Sequence, residues 1–150
     1  MQLKNFSKNT HIEVDDLHID AATMKLIKKP ESYDVMVTTN LFGDILSDET
    51  AQVTGSLGLA AGANIGATYG MFEPVHGSAP KYAGMNRVNP IATIMAGAMM
   101  LDYLGEKVAA ARIEVAVIEV LKEGKVRTAD LGGTTSTSEL ASAIVTHLKL

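Results

Sequence analysis

Asp44 and Asp48 stand four residues apart in TNLFGDILSDETAQ (Thr39 to Gln52), a spacing that brings two carboxylates onto one face of a helix. With a helix opening near Asp44, both lie on its first-turn face. Hard cations such as Mg²⁺ or Mn²⁺ take oxygen ligands and need only a few carboxylates, leaving positions for water and substrate. A third acid, Asp20 in HIDAATM, sits where a predicted strand gives way to a helix. The same spacing also suits a helix-start acid stabilised by the dipole beside a solvated surface acid. A second group lies in EPVHGSAPKYAGMNRVNP. There Gly77, Ser78 and Ala79 let backbone N–H groups approach a phosphate, Lys81 supplies a point charge and Tyr82 a flat surface or hydroxyl. The alternative is a structural turn with a surface lysine. His76 is a ligand, a base or a packed ring donating to the backbone. No G-x-G-x-x-G follows a strand and no Walker loop is present, so any dinucleotide must be held by another kind of loop.

The elements that must position these groups can be read from periodicity. His11 to Ile19 alternates as a strand with a slip at Asp15-Asp16, Ala21 to Lys28 reads as a helix stopped by Pro30, and Asp34 to Thr38 is a short apolar strand. Strand, helix, strand is a βαβ order and implies a parallel or mixed sheet. The helix from Gly43 ends near Gly55, and Ser56 to Gly66 is a glycine-rich connection. Tyr69 to Glu73 is a strand, Val75 to Arg87 a loop, and Asn89-Pro90 an N-cap with a first-turn proline. Two helices follow, Pro90 to Leu104 and Glu106 to Glu123, ended by Gly105 and Gly124. After a loop, with a short strand at Lys125 to Thr128, Ser136 and Glu139 form a capping box that opens the last helix.

Composition narrows the classes. At 150 residues, 47% hydrophobic and 20% charged, the chain can build a core, and a net charge of −4 with scattered Lys and Arg offers no basic face to nucleic acid. Absence of cysteine excludes disulfides and thiolate metal sites. No apolar signal core opens the sequence, and the longest apolar run, Ile91 to Leu101, is short of the ~20 residues that span a bilayer. The expectation is a cytoplasmic protein with neither nucleic-acid nor membrane partners.

Taken together, DAATMKLI, YDVMVTTNLFGDILSDETAQ, TGSLGLAAGANIG, MFEPVHGSAPKYAG, NPIATIMAGAMML and RTADLGG resemble the β-decarboxylating dehydrogenases, the isocitrate and isopropylmalate dehydrogenase family. The resemblance implies an α/β, isopropylmalate dehydrogenase-like fold, incomplete: the C-terminal portion of a two-domain enzyme with a parallel or mixed sheet. Residues 1–55 would end the smaller domain with its metal-binding helix, and residues 56–150 would form the returning part of the larger, cofactor-binding domain. It also implies that Asp44 and Asp48 bind Mg²⁺ or Mn²⁺ while Asp20 reaches the metal site of a partner subunit. Gly77, Ser78 and Ala79 would lie along the cofactor, His76 and Asn89 would contact its adenosine end, and Glu73 would stand near the nicotinamide. Lys81 and Tyr82 match NADP-type members, in which they meet the ribose 2′-phosphate, while Ala129 and Gly133 replace a further tyrosine and arginine, so use of NAD stays open.

The implied reaction is oxidation of a 2-hydroxy acid by hydride transfer, followed by loss of CO₂ from the neighbouring carbon. In members of the family that this sequence resembles, the groups that grip the substrate carboxylates and move protons lie upstream of everything matched here, so the chain alone is expected to be inactive, with no catalytic residue assigned. Isocitrate is the expected substrate. The competing readings are a portion of an NAD-dependent isopropylmalate dehydrogenase, and a non-catalytic cofactor-binding or assembly module. A dimer, or association with the missing N-terminal segment, is expected to cover edges that this sequence leaves unpaired.

Overall fold

The structure is a computed structural model and describes residues 12–148. It divides into two compact units between Glu49 and Thr50. In the first, helix α1 (Ile19–Lys28) ends just ahead of Pro30, whose ring disfavours helical backbone at the preceding residue, and Pro30–Ser32 forms a 3₁₀ turn. Ala22 and Leu26, one helical turn apart, are buried with Leu46 of helix α2 (Asn40–Val53), and Leu17, Ile19 and Tyr33 pack around them.

Three expectations for this region are corrected. Helix α2 opens at Asn40 rather than near Asp44 and carries no acid in its first turn, so Asp44 is not a dipole-stabilised helix-start residue. Its one-turn relation to Asp48 is unaffected. Neither expected strand forms: residues 12–18 are irregular, His11 lies outside the described residues, and no strand covers 34–38, where Val35 and Val37 are 79% and 78% exposed. Apolar alternation makes a strand only when a neighbour completes the ladder, and among the described residues neither segment has one. Among the described residues the βαβ unit is therefore absent.

In the second unit Ser56 caps a 3₁₀ turn (Leu57–Leu59) by accepting from the Gly58 N–H. Strand β1 (Ala61–Ile65) then pairs antiparallel with β2 (Gly70–Pro74), Gly62 opposite Glu73. The described sheet thus has two antiparallel strands instead of a parallel or mixed set. β2 was legible from its sequence; β1, AGANI, read as connection because its alanines and glycine carry little β preference, and pairing decides its form.

Helices α3 (Ile91–Tyr103), α4 (Lys107–Glu123) and α5 (Thr137–His147) supply most of the core. Ile91, Val117, Val120, Leu140 and Ile144 are buried together with Ala116, each within 4% exposure. The capping box at Ser136 and Glu139 is present, and Gly124 closes α4 in left-handed backbone at φ 63°. The short strand expected at Lys125 to Thr128 does not form; the backbone bends at Lys125 and Val126 and is irregular at Arg127 and Thr128. There the Thr135 N–H donates to the Arg127 carbonyl at 2.9 Å, and Gly133 lies so close to that carbonyl that a Cβ would collide with it. Among the described residues no helix is long and apolar enough to cross a membrane.

Candidate functional site

β2 delivers the chain at Pro74 into the loop predicted to meet a phosphate. His76 Nδ1 lies 2.9 Å from the Gly77 carbonyl, which can only accept, so Nδ1 carries the proton. The other ring nitrogen, Nε2, is buried and without a partner among the described residues. A Cβ on Gly77 would meet nothing within 4 Å, so the space over that peptide is open to a ligand. Ala79 takes left-handed backbone at φ 42° and throws the chain into the 3₁₀ turn Pro80–Tyr82. Lys81 is exposed, with Nζ 4.8 Å from the centre of the Tyr82 ring. Ser78, Ala79 and Tyr82 line a cleft of about 270 Å³ together with Asn86, Arg87 and Thr137. Glu73 is exposed on β2.

Asn89 is 5% exposed and its side chain is committed to the fold. Oδ1 accepts from the Ile91 N–H at 2.9 Å, opening α3, and Nδ2 donates to Asp130 at 3.0 Å. These bonds take up one of the two Nδ2 donors and one lone pair of Oδ1. Asp130 gathers two more donors, Ser56 Oγ at 2.5 Å and Thr128 Oγ1 at 2.6 Å. Burial pushes its carboxyl up, but the hydrogen bonds from Ser56, Thr128 and Asn89 outweigh this and hold it below the ordinary aspartate value of 3.8. Gly58 fits beside this cluster only because it has no side chain, since a Cβ would come 2.8 Å from Asn89 Cβ and 2.9 Å from Asp130 Oδ2. Sequence reading missed Asp130. Its partners Ser56 and Asn89 are 74 and 41 residues away, and no local pattern signals such a pairing.

Asp44 and Asp48 are exposed one turn apart on α2, and their carboxylates form no hydrogen bond or ion pair among the described residues. Two free hard-oxygen ligands at this spacing fit a divalent cation that completes its shell with water and substrate. Asp20 lies in the first turn of α1, where its Oδ1 accepts from the Ala21 N–H at 2.8 Å. Among the described residues no group of three or more acid or histidine side chains is gathered for a metal, so Asp20 is not brought together with Asp44 and Asp48 in such a group.

The family pattern described as isocitrate/isopropylmalate dehydrogenase matches residues 2–144. The chain belongs to this family. Among isocitrate/isopropylmalate dehydrogenase relatives, the isocitrate/homoisocitrate dehydrogenase of Thermus thermophilus is 54% identical over 138 residues, covering 92% of this chain and 41% of that protein. The 3-isopropylmalate/3-methylmalate dehydrogenase of Methanocaldococcus jannaschii is 51% identical, with the same 92% and 41% coverage. The crystal structure of isocitrate dehydrogenase from Methylococcus capsulatus superposes with a TM-score of 0.93 at 49% identity, covering 98% of this chain and 44% of that one. The chain thus spans about two fifths of the length of these relatives, 41% of the first. The family's fold is present in that portion, as an α/β fragment. Relatives named for isocitrate and for isopropylmalate match at nearly equal identity, 54% and 51%, so overall similarity does not separate the two substrates.

Proposed function

We propose that this chain is the metal- and cofactor-binding portion of a dehydrogenase that oxidatively decarboxylates a 2-hydroxy acid, isocitrate, with NADP or NAD and Mg²⁺ or Mn²⁺. The observation that carries the reading is the His76–Tyr82 loop, with an unpartnered buried ring nitrogen, an open peptide at Gly77 and an exposed lysine beside a ring. These features suit the adenosine half of a dinucleotide. His76 Nε2 accepts a hydrogen bond from it, the Gly77 to Ala79 backbone lies along it, and Asn89 contacts its adenosine end. Lys81 and Tyr82 hold the ribose substituent, and the positive charge at Lys81 favours a 2′-phosphate over a bare 2′-hydroxyl. Glu73 stands toward the nicotinamide.

Asp44 and Asp48 hold the divalent cation, and Asp20 serves the equivalent site of a second subunit, which makes the assembly a dimer. When bound, the cation polarises the substrate hydroxyl and the dinucleotide accepts the hydride. The chain's own residues bind and orient; none is assigned a proton transfer, and the chain alone is catalytically silent. An isopropylmalate enzyme with NAD is the second reading, supported by the 51% identity to a relative of that name.

The test is a chimera in which this chain replaces the matching portion of the Thermus thermophilus relative. Metal-dependent reduction of NADP with isocitrate, lost in Asp44→Asn and Asp48→Asn, is the expected result. Because the substrate-gripping groups of the chimera come from the Thermus portion, the cofactor decides between the readings: reduction of NAD and not of NADP by a folded chimera favours the second. One that reduces neither, with Mn²⁺ present, leaves only a binding or assembly role.

A further inference from the structure

We propose that Arg87 is a second selecting cation of the cofactor loop, acting with Lys81 beside the Tyr82 ring to favour an adenosine whose ribose carries a 2′-phosphate. The assignment rests on the nucleotide-binding reading above and names a residue that reading does not use. The Arg87 guanidinium carbon lies 5.9 Å from the centre of the Tyr82 ring, and Lys81 Nζ lies 4.8 Å from the same centre. Both side chains are exposed, and among the described residues neither forms an ion pair. Two like charges drawn to one ring, with no carboxylate to answer them, favour a multiply charged anion at that place.

Arg87 is also held there by its neighbours. On one side Asn86 is fixed to the start of α5: its carbonyl accepts from the Thr137 N–H at 2.9 Å, Oδ1 accepts from the Ser138 N–H at 3.1 Å, and Nδ2 donates to Ser138 Oγ at 2.8 Å. On the other side the Val88 carbonyl accepts from Thr137 Oγ1 at 2.6 Å. The backbone flanking Arg87 is thereby set before any ligand arrives, which lowers the ordering cost of binding. Arg87 borders the same cleft as Ser78, Ala79 and Tyr82. A planar fork of N–H donors matches two oxygens of a terminal phosphate, whereas a lysine acts as a point charge, so the two cations are not redundant.

The purely structural alternative is a pair of surface cation–π contacts, and it predicts an effect on melting without an effect on ligand choice. Calorimetric titration of the 150-residue chain with adenosine 2′,5′-bisphosphate and with ADP separates the two, because both probes carry two phosphates and differ in where the second one sits. The wild-type chain is expected to bind the 2′,5′-bisphosphate more tightly. Arg87→Gln should weaken that probe about tenfold and change ADP less than twofold, with Arg87→Lys recovering only part of the loss. Equal weakening of both probes, or no change in either beside an altered melting temperature, overturns the assignment. If wild type binds both probes equally, Arg87 selects nothing while the nucleotide-binding reading stands; if neither probe binds, both fall.

Discussion

Asp130 is the residue on which the second unit's polar interior converges, accepting from Ser56, Thr128 and Asn89. Those donors are buried, with exposures of 5%, 0% and 5%, so removing the carboxylate strands all three. Asp130→Ala should lower the unfolding free energy by about 1–3 kcal/mol in urea titrations, the usual consequence of leaving buried donors unsatisfied. Since its pKa is depressed in the folded state, the stabilisation is complete above the ordinary 3.8 and is lost as pH falls through the lower folded value. Titrations from pH ~6 to pH ~2 should therefore show the gap between wild type and variant closing below that point. A gap that stays constant over this range would contradict the role given to the charged form. Residue by residue, the sequence revealed what depends on near neighbours: Lys81 beside Tyr82, Asp44 one turn from Asp48, Asn89 ahead of Pro90. Asp130 and Arg87 stayed hidden because their meaning comes from where distant segments meet.

At the scale of elements, legibility followed the same boundary. Helix ends with local chemistry, Ser136 with Glu139 and the glycines at 105 and 124, were placed correctly because capping groups lie within a few residues of what they satisfy. The segment at residues 34–38 has the composition of a strand and is not one here, while AGANI at 61–65 lacks that composition and is one; in both cases the neighbour decides. Gly133 offers a test of the tight return between Arg127 and Thr135. A Cβ there would strike the Arg127 carbonyl, which is backbone and cannot swing aside. Gly133→Ala should therefore destabilise by about 1–3 kcal/mol, as overpacking does, read as an earlier thermal midpoint. An unchanged midpoint would show that the turn relaxes freely.

At the scale of the molecule, much apolar surface is uncovered: Val35, Val37, Leu41 and Ile27 are between 65% and 79% exposed, all in the first unit. Apolar surface of this extent favours association, so the purified chain is expected to sediment as a dimer or larger species, and a monodisperse monomer at tens of micromolar would contradict this. The loop from His76 to Tyr82 is proposed above as a dinucleotide site, and its choice of cofactor then turns on the charge at position 81. Its most direct test is calorimetric titration of the chain with NADP and with NAD, run beside Lys81→Glu. Tighter binding of NADP by wild type, with the preference reversed by the substitution, is the predicted result; a folded chain that binds neither cofactor, or whose preference ignores the substitution, would contradict it.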